Sequence, residues 1–251
     1  MKCALLISGQ PRNVYECFNN IQQNLLFPNN PDIFVHTWID PDMVGKTYKA
    51  NWVKKEAVLV QKDDPDKPRY DDTASNPIPR NVDKIIYNLY QPKKWLFQKP
   101  FEFPFNKEIV LEGRPESFLS PQDMFSFQYS FYAANLMKQL YEVEHSMTYD
   151  VVMRTRFDNI FQKPITLKDY ISHDTIYTPN DYFNDIGISD RWAICNSKLM
   201  NTYTQSYLFL EELLEDKSLF LQNEMILGTW VQLKNKIKIQ RVDTPYYVRR
   251  F

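Results

Sequence analysis

The opening stretch of the chain constrains the fold more than any other. Residues 2–8 read as a strand built on an apolar run of about six residues, and Ser8-Gly9-Gln10-Pro11-Arg12 breaks it. Residues 13–25 then carry Val14, Cys17, Phe18, Ile21 and Leu25 on one side of a helix. Pro28-Asn29-Asn30-Pro31 leads into a second apolar run, Asp32-Ile33-Phe34-Val35-His36-Thr37-Trp38. Strand, helix and strand so close together make a βαβ unit. Its two strands should be parallel and its crossover right-handed.

The rest continues the alternation. Residues 40–81 are rich in Lys, Asp and Pro around Asp63-Asp64-Pro65-Asp66-Lys67-Pro68, and read as a long loop or insertion. Their place after the second strand suggests a flap over a ligand. A further strand falls near 84–89 or 94–98. Residues 121–145 are the clearest helix, with Ser120 as cap, Pro121 in the first turn and Asp123 at the positive end of the dipole. Tyr149-Asp150-Val151-Val152-Met153-Arg154-Thr155-Arg156 is a strand with an apolar middle and a polar end. Shorter strands follow near 174–178 and 190–195, helices over 197–214 and 222–234, and a last strand over 237–242. The pattern implies one doubly wound α/β domain over residues 1–251, a mainly parallel sheet flanked by helices.

Composition narrows the function classes. The formal net charge of -1 supplies no global basic field, so nucleic acid is not an expected partner. Cys3, Cys17 and Cys195 are odd in number and lack CxxC spacing, against a disulfide framework or a zinc site. His36, His145 and His173 are far apart, and no HExxH motif occurs. The N-terminal apolar run is shorter than the roughly 7–15 residues of a signal core. No stretch approaches the roughly 18 apolar residues of a membrane span. These features predict a soluble, cytoplasmic protein without a transmembrane segment. Aromatic residues make up 15%; most should pack the core, and exposed ones can stack on sugar rings.

Open parallel sheets bind ligands beyond the carboxyl ends of their strands. The first strand ends in Ser8, Gly9, Gln10 and Arg12. Glycine permits close backbone approach, a helix start attracts phosphate, and Arg12 can pair with a diphosphate. A plain turn with a surface arginine explains the same residues. The second strand ends in His36 and Trp38, which can stack on a nucleotide base or pack under a loop. The third ends in Arg154-Thr155-Arg156-Phe157-Asp158. Two arginines and a carboxylate after an apolar strand need solvent, one another or a charged ligand. Asp158 can hold a divalent cation while the arginines face phosphate; an internal Arg–Asp salt bridge is the alternative. Asp190 precedes Trp192-Ala193-Ile194, and Glu224 opens an apolar helix. Either can serve as a general base, and Glu224 can equally be a simple dipole partner.

Taken together, Ala4-Leu5-Leu6-Ile7-Ser8-Gly9-Gln10-Pro11-Arg12, Asp32 to Trp38, Tyr149 to Asp158 and Asp190-Arg191-Trp192-Ala193-Ile194 resemble bacterial and viral glycosyltransferases of surface-polysaccharide or glycan synthesis. The resemblance implies a single GT-A domain, Rossmann-like, and a hexosyl- or pentosyltransferase. The donor would be a nucleotide-sugar, UDP- or GDP-linked, and the acceptor a glycan or polysaccharide. GT-A enzymes carry a DxD motif for Mn2+ or Mg2+. Arg156-Phe157-Asp158 looks like that place, with Arg156 where the first acid stands and Asp158 matching the second, so the resemblance makes Asp158 the metal residue. Asn223-Glu224 looks like the acceptor-side acidic motif, with Glu224 in the base position and Asp190 as the other catalytic candidate. Ser8, Gly9, Gln10, Arg12, His36, Trp38, Arg154, Arg156 and Asp158 would bind the donor. The alternative from another class is a non-catalytic GT-A-like module that binds a sugar or a partner. A nucleotidyltransferase would need a Gly-rich basic first loop, which this chain lacks.

Overall fold

Each position of the first strand from Cys3 to Ile7 faces a core. Ala4 and Leu6 pack on one side of the sheet, and Cys3, Leu5 and Ile7 on the other. Successive side chains of a strand point to opposite faces, so a strand covered on both sides is apolar throughout. The computed structural model describes residues 1–44, 78–112, 120–181 and 185–248. In chain order it contains β1 (Cys3–Gly9), α1 (Val14–Ile21), β2 (Asp32–Trp38), α2 (Val82–Tyr90), β3 (Lys94–Gln98) and α3 (Pro121–Glu144). There follow β4 (Val151–Thr155), β5 (Asn159–Phe161), β6 (Thr175–Pro179), β7 (Ala193–Cys195), α4 (Ser197–Thr204), α5 (Asn223–Gly228), β8 (Lys238–Val242) and β9 (Tyr246–Val248).

Seven strands form one sheet in the order β3-β2-β1-β4-β7-β6-β8. Pairing is parallel from β3 through β2 and β1 to β4, and again between β6 and β8. Only β7 is reversed, antiparallel to both β4 and β6. The expected α/β architecture, a mainly parallel sheet flanked by helices, is the one observed. Helices α1 and α2 cover one face, and α3, α4 and α5 cover the other. Helix α3 starts as its sequence dictates: Ser120 Oγ accepts from Asp123 N at 3.1 Å, and Pro121 occupies the first turn.

Some elements differ from the sequence expectation. Residues 84–89 belong to α2, with Val82, Ile86 and Tyr90 buried at helical spacing, and the strand is 94–98. Helix α1 does not stop before Pro28. It passes through a π-helical stretch, Gln22–Leu26, and one more turn to Asn29, where Asn30 at φ 42° ends it. The helix expected over 197–214 is broken by a 3-10 stretch, Gln205–Phe209. The ribbon of β5 and β9 was absent from the sequence reading. The loop expected over 40–81, and its role as a flap, fall mainly on residues 45–77, outside the described residues. Cys3, Cys17 and Cys195 are free and buried. Among the described residues, no helix is long and apolar enough to cross a membrane.

Candidate active site

The chain changes sides at β1. Helix α1 packs on one face between β1 and β2, and α3 packs on the other between β3 and β4. The carboxyl ends of β1 and β4 therefore flank a topological switch point, the place where open α/β sheets bind ligands. Leu6 is in register with Arg154 and Ile7 with Thr155, so Ser8 and Gly9 lie beside the polar end of β4. Gly9 has φ +114°, and a Cβ there would meet nothing within 4 Å. Glycine is required by the conformation, and it leaves open space above the backbone. Arg12 Nη2 donates to Gln10 Oε1, and both residues are partly exposed on this loop.

Arg154 is wholly buried. Its Nε donates to Ser8 Oγ at 3.0 Å, and its Nη1 to the carbonyl oxygens of Asp190 and, at 3.5 Å, Arg191. The guanidinium carbon lies 3.3 Å from the centre of the Phe131 ring. Burial pulls its pKa down to about 9, against the opposing influence of Tyr203 and Asp190. Arg154 is thus a clamp between the end of β1 and the Asp190 segment, not a solvent-facing phosphate ligand. Its Nη2 has no hydrogen-bond partner.

Arg156 turns back onto Asp158. Nε donates to Oδ1 at 2.8 Å and Nη2 to Oδ2 at 2.7 Å, a two-point fork. Burial acts to lower the Arg156 pKa, but the carboxylate more than offsets it and the net shift is upward. Asp158 is 2% exposed. Among the described residues, no group of three His, Cys, Asp or Glu is placed to hold a metal ion. Both oxygens of Asp158 are engaged by Arg156, so in this arrangement the carboxylate is not open to the Mn2+ or Mg2+ expected there. The internal salt bridge is the arrangement present.

His36 and Trp38 also differ from the stacking role expected of them. Both are buried. His36 Nδ1 and Ser130 Oγ share a hydrogen bond of 2.7 Å, and the His36 ring meets Trp38 edge-on at 4.7 Å between centres. Burial lowers the His36 pKa to about 4, partly opposed by Gln98, so the ring is neutral. Trp38 lies among Phe101, Phe103 and Tyr129. Neither ring offers a face to a nucleotide base here, because α3 closes over β2.

The two acids singled out in sequence do come together. Glu224 sits in the first turn of α5, and Asp190 on the segment before β7. Burial raises the Glu224 pKa to about 7, and the charge of Asp190 adds to the rise. Asp190 Oδ1 lies 3.4 Å from Arg191 Nε. Glu224 O accepts from Ile188 N at 3.1 Å, which ties the two segments together. A Cβ on Gly228 would collide with the Ile186 carbonyl and stand 3.0 Å from Gly187 Cα, so this helix approaches the segment as only glycine permits.

Three residues nearby have no role assigned from sequence. Arg191 is partly exposed and influences both Glu224 and Tyr246. Tyr246, brought in by the β5–β9 pairing, donates from its hydroxyl to Asp181 Oδ2. Asp181 in turn adds to the rise at Glu224. Arg191 alone had a sequence signal, since it lies between Asp190 and the apolar β7. Asp181 and Tyr246 had none, because strand pairing far along the chain places them.

No protein-family model matches this sequence, and no curated protein matches it. Among solved structures, the apo-form glycosyltransferase GlyE of Streptococcus pneumoniae TIGR4 aligns over 96% of this chain with a TM-score of 0.45 and 10% identity. The alignment covers 45% of that protein's chain, so this chain spans less than half its length. A likeness of that order assigns no residue role.

Proposed function

We propose that this chain is a GT-A-type glycosyltransferase that moves a sugar from a nucleotide-sugar to a hydroxyl of a glycan or polysaccharide acceptor. One observation carries the proposal: Glu224 is tied through Ile188 N to the segment whose Asp190 carbonyl accepts from Arg154 at the polar end of β4, and its proton affinity is moved to about neutrality. A carboxyl with a pKa close to the working pH is suited to accept a proton from an attacking hydroxyl. In the step we assign, the acceptor oxygen bonds to the anomeric carbon and its proton passes to Glu224. The bond from the anomeric carbon to the phosphate oxygen breaks, and its electron pair leaves with the nucleotide.

The leaving group gains negative charge, and fixed cations aimed at it lower the barrier. Arg12 on the β1 loop, Arg156 and Arg191 are the partly exposed cations assigned to it. Gly9 admits the diphosphate close to the backbone. Ser8 and Arg154 hold the walls rather than the ligand. Charge stabilisation is assigned to arginine rather than to an ion at Asp158, on the strength of the Arg156–Asp158 fork. UDP- and GDP-sugars remain the donors of choice on the sequence resemblance.

The test is donor turnover. The chain is incubated with UDP-, GDP-, CMP- and dTDP-sugars, with and without EDTA, and released nucleotide is measured. The expected result is slow hydrolysis of one donor class without acceptor, unchanged by EDTA. Sugar binding without nucleotide release from any donor would overturn the proposal in favour of a binding module. Loss of activity in EDTA, restored by Mn2+, would return the charge-stabilising role to a metal.

A further inference from the structure

Glu224 does not hold its place alone. The residue before it, Asn223, is buried and accepts through Oδ1 from Gln128 Nε2 at 3.2 Å. Gln128 is wholly buried on the inner face of α3, and its Oε1 accepts from Ser206 Oγ at 2.8 Å. Both ends of one amide are therefore used, one on the start of α5 and the other on the 3-10 stretch after α4. No local pattern requires this. A glutamine at a core position of a long helix is costly to bury unless both its donor and acceptor are matched. Its neighbours at helical spacing, Met124, Phe125 and Phe131, are apolar.

The geometry points to Gln128 as a positioning residue for Glu224: through Asn223 it fixes the first turn of α5, and with it the separation of Glu224 from Asp190. The inference rests on the assignment of Glu224 as the base. The opposite side of α5 is already fixed, by the Gly228 approach to Ile186 and the Ile188 N to Glu224 O bond. Gln128 secures the remaining side from α3, so the short helix is held from two directions. Among the described residues, the charged and titratable groups that face Glu224 are Asp190 and Arg191 before β7, Asp181 after β6 and Tyr203 on α4. Gln128 and Asn223 are uncharged. Their removal can alter Glu224 only by moving it relative to those groups and to water.

The experiment reads Glu224 directly. Carboxyl 13C NMR follows its titration in the ligand-free protein, in the parent and in Gln128→Met and Asn223→Ala. Met keeps the volume of Gln128 but neither hydrogen bond, and Asn223→Ala removes the acceptor for Gln128 Nε2. The parent should titrate near 7. In Gln128→Met and Asn223→Ala the midpoint should fall toward the ordinary glutamate range by about one unit or more, tenfold in proton affinity. If Gln128→Met does not fold, Asn223→Ala breaks the same bond from the other end. A folded variant lacking the bond but titrating as the parent does overturns the positioning role. So does a variant that loses only thermal stability. The base assignment fails separately: Glu224→Gln with undiminished transfer removes it, whatever the NMR shows about Gln128.

Discussion

Glu224 concentrates the chemistry into a single titration. If it accepts the acceptor proton, Glu224→Gln should reduce transfer by roughly 10²–10⁴-fold and leave donor affinity near normal. Asp190→Asn is the control. A large loss there with none in Glu224→Gln moves the base to Asp190. Transfer should rise as pH passes through about 7, because only the ionised Glu224 accepts a proton. Stability should run the other way. The Glu224 pKa is raised on folding from 4.5 to about 7, so the folded protein holds this proton more tightly than the unfolded chain. Its contribution is complete below 4.5 and is lost as pH rises through 7. Glu224→Gln cannot ionise, so urea midpoints at about pH 5 and about pH 8 should differ less in the variant than in the parent. Asp158 behaves differently. Asp158→Asn releases Arg156 from its fork, so it should weaken donor binding in the presence or absence of EDTA, as read by calorimetry of nucleotide-sugar binding.

Among elements, the short pieces were hardest to read and matter most to the site. β5 and β9 span only Asn159–Phe161 and Tyr246–Val248, too short to show a period. Their signal lay on α1 and its extension, in asparagines that look like an ordinary solvent face. Asn20 Nδ2 and Asn24 Nδ2 donate to Phe161 O at 2.9 and 3.0 Å, and Asn20 Oδ1 accepts from Phe161 N. Asn29 serves Ile165 and Leu167 in the same way. Helix α3 carries a second buried polar group, where Lys138 Nζ lies 3.2 Å from Glu142 Oε2 and donates to Asn201 Oδ1 at 3.0 Å. Lys138→Ala should cost about 3–5 kcal/mol in chemical denaturation, because it leaves Glu142 buried without its cation. Gly228→Ala should cost about 1–3 kcal/mol by overpacking and should depress transfer as well, since the collision falls on the segment that leads to Asp190. A Gly228→Ala protein of parental stability and activity would contradict the close packing of α5.

At the scale of the whole molecule, ligand binding and folding are coupled. A nucleotide-sugar at about 100 times its dissociation constant should stabilise the fold by roughly 2.7 kcal/mol, and a thermal-shift series across donors checks this. What the sequence by itself determined is the layered α/β plan. A strand covered on both faces must be apolar throughout, and a helix must show its buried side every three or four residues. β1, β2, β4, α1 and α3 therefore announce themselves locally, and the ends of β1 and β4 were legible as the polar edge. The roles of the charged residues at that edge were decided only by the tertiary structure. Arg154 meets Ser8 across 146 residues of chain, and Gln128 meets Asn223 across 95. Whether an arginine faces a ligand, clamps a backbone or neutralises Asp158 depends on strand register and on which helix closes over it. Those are properties of packing between distant segments, and no local spacing encodes them.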